Sequence, residues 1–224
     1  MMIRFNVSLG ALMTQPLGLL IASFDIGDCP QDEFNDWYDT EHIPDRQKVP
    51  GFLNFERWVG ADDPNLVLAI YDLQSVDVLQ SPEYLRIGFH SPSPWTRRLM
   101  PKTKRVLRFV GEQITPGNVL APKGAGGLLF MGFNIQPGME DEYARWMDEE
   151  HLPRLAKVPG VLSARRFVAT ESTHKYVAVY HLTAPEVQGS PAWQEAIETP
   201  WTHSIRPRTS DRLRLPCRVY RRPG

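Results

Sequence analysis

The sequence predicts an α+β fold built from two tandem ferredoxin-like βαββαβ domains whose sheets enclose a shared interior. Three observations carry that prediction: an internal repeat, a fixed order of hydrophobic periodicities within each copy, and a composition typical of globular chains. Asp36–Pro44 reads Asp-Trp-Tyr-Asp-Thr-Glu-His-Ile-Pro, and Arg145–Pro153 reads Arg-Trp-Met-Asp-Glu-Glu-His-Leu-Pro. At that offset, 11 of the 21 residues from position 31 to position 51 are identical in the second copy, far above chance. The offset shortens after Ser81-Pro82 and Ser190-Pro191, so that Pro94-Trp95-Thr96 aligns with Pro200-Trp201-Thr202.

Each copy opens with a short apolar run, Leu19–Ile26 or Leu128–Ile135, that reads as a strand. A helix follows. Phe34, Trp37, Tyr38 and Glu41 fall at i, i+3, i+4 and i+7, and Tyr143, Trp146, Met147 and Glu150 repeat that stripe. Ile43 and Leu152 precede proline, which disfavours the α region, so each helix is expected to kink or end there. Val49-Pro50-Gly51 and Val158-Pro159-Gly160 suit a tight turn. Two strands come next, Phe52–Val59 and Leu66–Leu73 in one copy, Val161–Ala169 and Lys175–Leu182 in the other. Proline-punctuated helical material covers Pro82–Met100 and Pro191–Ser204, and final strands are expected at Arg105–Val110 and Leu213–Tyr220.

A βαββαβ unit carries its helices on one sheet face and leaves the other bare. A second sheet laid against it would bury that face. The expected organisation is therefore a loose extension at 1–13, a first domain at 14–113, a Pro/Gly-rich linker at 114–126 and a second domain at 127–224.

The chain has 224 residues, 42% of them hydrophobic and 23% charged, with a formal net charge of −1. The charge is spread, at −4 up to Gln113 and +3 beyond it, which argues against nucleic acid as a partner. No apolar run approaches the roughly 20 residues that span a bilayer. Cys29 and Cys217 lie far apart and no secretory signal stands out, so the expected compartment is the cytoplasm. No Gly-rich phosphate loop, nucleophile elbow or Cys-His couple is present, so no cofactor is expected.

On a helical wheel with Trp37 at the origin, Glu41 lies at about 40°, inside the apolar stripe. Burial there would suit an acid–base role for Glu41 and Glu150. The alternative is pairing with a strand cation, Arg57 for Glu41 and Arg166 for Glu150. Asp39 and His42, like Asp148 and His151, stand at i and i+3, where a hydrogen bond could orient the imidazole as a base. The same imidazole could instead tie the helix end to the loop at Pro44. One His with one or two carboxylates makes no convincing metal site, so none is expected. Trp37 and Trp146 read as core anchors. Trp95 and Trp201 either line a pocket mouth or pack. Tyr71, Tyr180 and His181 lie on expected inner strands, and His90, His174, His181 and His203 have no counterpart in the other copy. Seven arginines fall between positions 206 and 222, and Arg212-Leu213-Arg214-Leu215 alternates. An inward basic face there would bind an anion, whereas a solvated edge would deter pairing.

The segment Trp37-Tyr38-x-x-Glu41-His42-Ile43-Pro44, followed by Val49-Pro50-Gly51, and its second copy through Pro159-Gly160 resemble the EthD-like branch of the dimeric α+β barrel superfamily. The resemblance implies an intrachain pseudo-dimeric α+β barrel with no obligation to dimerise, although a homo-oligomer stays open. It further implies a small apolar or aromatic organic molecule, held in the barrel interior or under the first helix, and cofactor-independent acid–base chemistry in the catabolism of organic compounds, of isomerase, cyclase or monooxygenase-like type. Two other readings are a non-catalytic structural, interaction or ligand-storage barrel and a haem-binding oxidative enzyme.

Overall fold

The structure, a computed structural model, describes residues 15–88 and 91–222. The expected extension at 1–13 and His90 lie outside the described residues. Eight antiparallel strands alternate with short helices: β1 (Gly18–Asp25), β2 (Phe52–Gly60), β3 (Leu66–Leu73), β4 (Lys104–Thr115), β5 (Gly127–Ile135), β6 (Val161–Glu171), β7 (Tyr176–Leu182) and β8 (Thr209–Val219). They close in the order β1-β3-β2-β8-β5-β7-β6-β4.

This closure corrects the expected pair of separate ferredoxin-like sheets facing one another. The sheets instead join edge to edge, through β2–β8, with Trp58 opposite Val219, and through β4–β6, with Glu112 opposite Val168. The result is a single closed eight-stranded barrel with its helices outside. Two stacked sheets would keep four edges of unpaired N–H and C=O groups, and closure removes them. Strands β4 and β8, 12 and 11 residues long, run past their own sheets to reach the seams. Gly111 permits one of these approaches, since a Cβ there would lie 2.4 Å from the Val168 carbonyl oxygen.

Side chains alternate across the barrel wall. Leu19, Ile21, Trp58, Leu68, Phe109, Phe130 and Phe167 are among those that meet inside as one apolar core. An eight-stranded barrel is just wide enough for side chains to fill. The interior is therefore packed, and the expectation of a ligand there gives way to the space under the helices. Residues 116–126, between β4 and β5, are anchored to the barrel. The Leu17 N–H donates to Asn118 Oδ1 at 2.9 Å, and the Ala121 N–H donates to Asp72 Oδ2 at 2.8 Å.

Outside the barrel lie α1 (Gln31–Trp37), α2 (Ile43–Gln47), α3 (Pro82–Ile87) and α4 (Pro94–Leu99). Their second-half counterparts are α5 (Glu140–Trp146), α6 (Leu152–Ala156), α7 (Pro191–Ile197) and α8 (Pro200–Ile205). Neither helix ends at Ile43 or Leu152, and the irregularity falls in the turn just before each. A π turn links α1 to α2, with Ile43 N–H bonded to the Tyr38 carbonyl, and another links α5 to α6, with Leu152 N–H bonded to that of Met147. Pro44 and Pro153 have no N–H to return, and the wider turn accommodates them. Gly51 and Gly160, at φ +95 and +92, close the turns that follow.

Candidate functional site

In each half a cavity lies between the helices and the outer face of the barrel. The first, about 180 Å³, is lined by Trp37, Glu41, His42, Tyr71, Tyr84 and Ser93 among others. The second, about 150 Å³, lies against Trp146, His151, Tyr180, Trp193, Arg212 and Arg214 among others.

Glu41 is held by three donors. Its Oε1 accepts from Trp37 Nε1 at 3.1 Å, from Thr96 Oγ1 at 3.3 Å and, over a short contact, from Ser93 Oγ. Ser93 caps α4, accepting from Thr96 N–H at 3.0 Å while its hydroxyl donates to Glu41. The second half repeats part of this arrangement. Thr199 Oγ1 donates to Glu150 Oε1 at 2.6 Å and accepts from the Thr202 N–H, while Trp146 Nε1 donates to Thr202 Oγ1 at 3.2 Å. Glu41 lines its cavity and Glu150 does not.

Neither glutamate meets the cation expected for it. Arg57 Nη1 pairs with Asp39 Oδ1 at 2.6 Å, and its Nη2 donates to Asn35 Oδ1 at 2.6 Å. Arg166 Nη2 pairs with Asp148 Oδ2 at 2.8 Å. These pairs also remove Asp39 and Asp148 from the histidines, so neither aspartate orients an imidazole by a hydrogen bond. The π turn is the physical reason: it rotates the residues after Trp37 and Trp146 away from α-helical i, i+3 geometry. Arg57 further stacks on the Tyr220 ring, 3.8 Å from its centroid.

His42 instead packs on aromatic faces, with centroid distances of 4.4 Å to Trp37 and 4.6 Å to Tyr38. Burial, helped by the Arg46 and Arg57 cations, holds it well below the ordinary imidazole range. His151 lies 4.2 Å from Trp146, and burial lowers it to about 3. Both imidazoles are therefore neutral at pH 7. The His151 Nδ1 atom is buried without a hydrogen-bond partner.

Strand alternation separates Tyr71 and Tyr180 from His181. The two tyrosines face the helices and line the cavities, whereas His181 points into the barrel, where its Nε2 meets Glu56 Oε2 at 2.9 Å. Tyr71 shares its hydroxyl with Tyr38 at 2.8 Å. Trp95 and Trp201 pack against the outer cores and line neither cavity. Ser93, Thr96, Thr199 and Thr202 were missed as site residues. Their signal was present, since Ser/Thr-Pro-Trp-Thr in both copies reads as an N-cap followed by proline at the first helical position.

A closed antiparallel barrel carrying its helices outside is the architecture of the dimeric α+β barrel superfamily, and solved structures of that superfamily share this chain's fold. An anthrone oxidase-like protein matches with a TM-score of 0.64 at 13% identity, over 92% of this chain and 95% of its own. A chlorite dismutase from Candidatus Nitrospira defluvii, in complex with imidazole, matches with 0.58 at 10% identity, over 94% and 93%. A candidate monooxygenase from Lactobacillus acidophilus NCFM matches with 0.59 at 10% identity, over 91% and 93%. At such identities the likeness is one of fold. No family model and no curated protein matches the sequence. No helix among the described residues is long and apolar enough to cross a membrane.

A metal-ligating histidine commonly donates its second ring N–H to an acceptor, and His151 Nδ1 has none among the described residues. Among the described residues, no three His, Cys, Asp or Glu side chains gather as a metal-ligand group.

Proposed function

We propose that the first-half cavity binds a small apolar or aromatic organic molecule and moves a proton on it without a cofactor, as the EthD-like resemblance implies. The observation that carries this reading is the pairing of two differently disposed groups on one cavity wall. Glu41 spends Oε1 on three donors, while its Oε2 has no hydrogen-bond partner among the described residues. His42 is neutral, and its ring makes no hydrogen bond to the described residues.

In this reading Glu41 Oε2 takes a proton from a carbon next to a carbonyl, or from a phenolic oxygen. The bonding pair left behind becomes an enolate or phenolate. The neutral His42 ring N–H donates to the developing oxyanion. Return of the proton to a different atom gives an isomer, with no net oxidation. Aromatic rings of Trp37, Tyr71 and Tyr84 supply apolar walls suited to a one-ring guest.

Binding is tested by titrating 2-indanone, a ring ketone with acidic C–H bonds, while following the indole N–H resonance of Trp37. The reading expects that resonance to move, and to stop moving in a cavity-filling Ala22→Trp variant. Equal movement of all six tryptophan signals would contradict it.

A second reading, the non-catalytic barrel, draws on one specific observation. The Trp-Glu-Thr arrangement recurs in both halves, at Trp37/Glu41/Thr96 and Trp146/Glu150/Thr202 with Thr199 as the bridge. A bond that fastens the first helix of each half to the last would act twice in this way.

A further inference from the structure

The second cavity differs from the first in charge and in its free hydrogen-bonding groups. Its walls include Leu129, Met131, Phe133, Trp146, Ala178 and Trp193, and no carboxylate lines it. Arg206, Arg212 and Arg214 stand around it. Arg206 shares Glu198 at 3.1 Å. Arg212 and Arg214 make no ion pair among the described residues, and Asp62 acts on Arg214 from a distance. The contrast with the first half is direct, because Arg108, the counterpart of Arg214 on β4, is neutralised by Glu171.

The tyrosines differ in the same sense. Tyr71 is satisfied by Tyr38, but Met147 occupies the position equivalent to Tyr38, so the Tyr180 hydroxyl has no partner among the described residues where it lines the second cavity. Met147 also leaves that wall more apolar. The arrangement thus offers an apolar slot, a free hydroxyl donor and two unpaired guanidiniums on one side.

We propose that the second cavity is a binding site for a small amphipathic organic anion, a carboxylate carried on one aromatic ring or a short aliphatic chain. The ring or chain lies against Met131, Phe133 and Trp193, and the carboxylate faces Arg212 and Arg214. Guanidinium suits this role because its planar donors match a carboxylate bidentately. Apolar burial holds the body of the ligand, and the charge pairing selects its head.

Calorimetric titration of the full chain with benzoate, hexanoate and benzyl alcohol tests the site. At least one of the two carboxylates should bind, and benzyl alcohol should bind at least tenfold more weakly. The double variant Arg212→Gln/Arg214→Gln, altered only at exposed positions, should raise the carboxylate Kd at least tenfold, while Arg214→Lys should keep more of the affinity than Arg214→Gln. Ala178→Trp should abolish binding by filling the slot, and Glu41→Gln should leave it unchanged, which separates this site from the first cavity. Raised salt should weaken binding. Equal affinity for benzyl alcohol, no carboxylate binding at all, or carboxylate binding indifferent to the double arginine variant would each overturn the proposal.

Discussion

Arg165 on β6 and Asp72 on β3 form an ion pair inside the barrel, Nη1 to Oδ1 at 2.7 Å, with side chains only 1% and 2% exposed. Arg165 also donates to the Val119 carbonyl, and Asp72 accepts the Ala121 N–H, so one pair fastens the two halves and the segment between them. Breaking such a pair strands a charge in an apolar interior. Asp72→Ala should therefore lower unfolding free energy by about 3–5 kcal/mol, whereas the apolar double replacement Asp72→Leu/Arg165→Met should lose much less. Urea unfolding with an unchanged m-value reads both. A loss from Asp72→Ala below about 1 kcal/mol would place the pair in the class of solvent-screened bridges.

The two helix histidines make stability depend on pH with a definite sign. His151 is lowered to about 3 and His42 also lies well below its ordinary value, so below about pH 6.5 the unfolded chain binds protons that the folded chain refuses. Their contribution is complete above that pH and is lost as pH falls toward the folded values. The expected slope is at most about 1.4 kcal/mol per pH unit for each histidine. His151→Gln should flatten the acid limb of a stability-against-pH curve. An unaltered limb would mean that the imidazole is not held neutral by burial.

Ser93 and Thr199 each perform two tasks, capping a helix and donating to a glutamate. Loss of an N-cap alone costs about 1 kcal/mol. Ser93→Ala and Thr199→Ala should each cost somewhat more, because Glu41 or Glu150 also loses a donor, while Ser93→Thr should be near neutral. Thermal unfolding of the four proteins distinguishes these outcomes.

Much of the fold was legible in the residues. The repeat around Trp37 and Trp146, the strand–helix order and the Val-Pro-Gly turns all follow from local pattern, because each rests on interactions within a few residues. The π turns at Tyr38–His42 and Met147–His151 were not legible, since a wheel at constant angle cannot register a change of hydrogen-bond partner. A constant-angle wheel sets Asp39 and Asp148 beside the histidines, whereas in the structure they pair with Arg57 and Arg166. Edge closure through β2–β8 and β4–β6 is a long-range pairing, which alternation within single strands does not specify. Glu41, His42 and Tyr71, singled out by their place in the pattern, line the first cavity. Ser93 and Thr96 were overshadowed by the larger Trp95 between them in the same motif.

Asymmetry between the two cavities also yields an expectation. Tyr38→Phe should free the Tyr71 hydroxyl in the first cavity, reproducing the condition of Tyr180. It should raise the affinity of that cavity for hydrogen-bond-accepting guests such as 2-indanone several-fold, at a stability loss of about 1 kcal/mol for the buried Tyr38–Tyr71 bond. Unchanged affinity would show that Tyr71 does not present its hydroxyl to the guest.

Solvent deuterium entering the acidic C–H positions of 2-indanone, followed by proton NMR at neutral pD, tests proton transfer at Glu41 most directly. The account predicts exchange faster than in buffer, a loss of at least tenfold in Glu41→Gln with folding intact, and little change in Glu150→Gln. Exchange at the buffer rate with the wild-type chain, or an equal rate with Glu41→Gln, would contradict it.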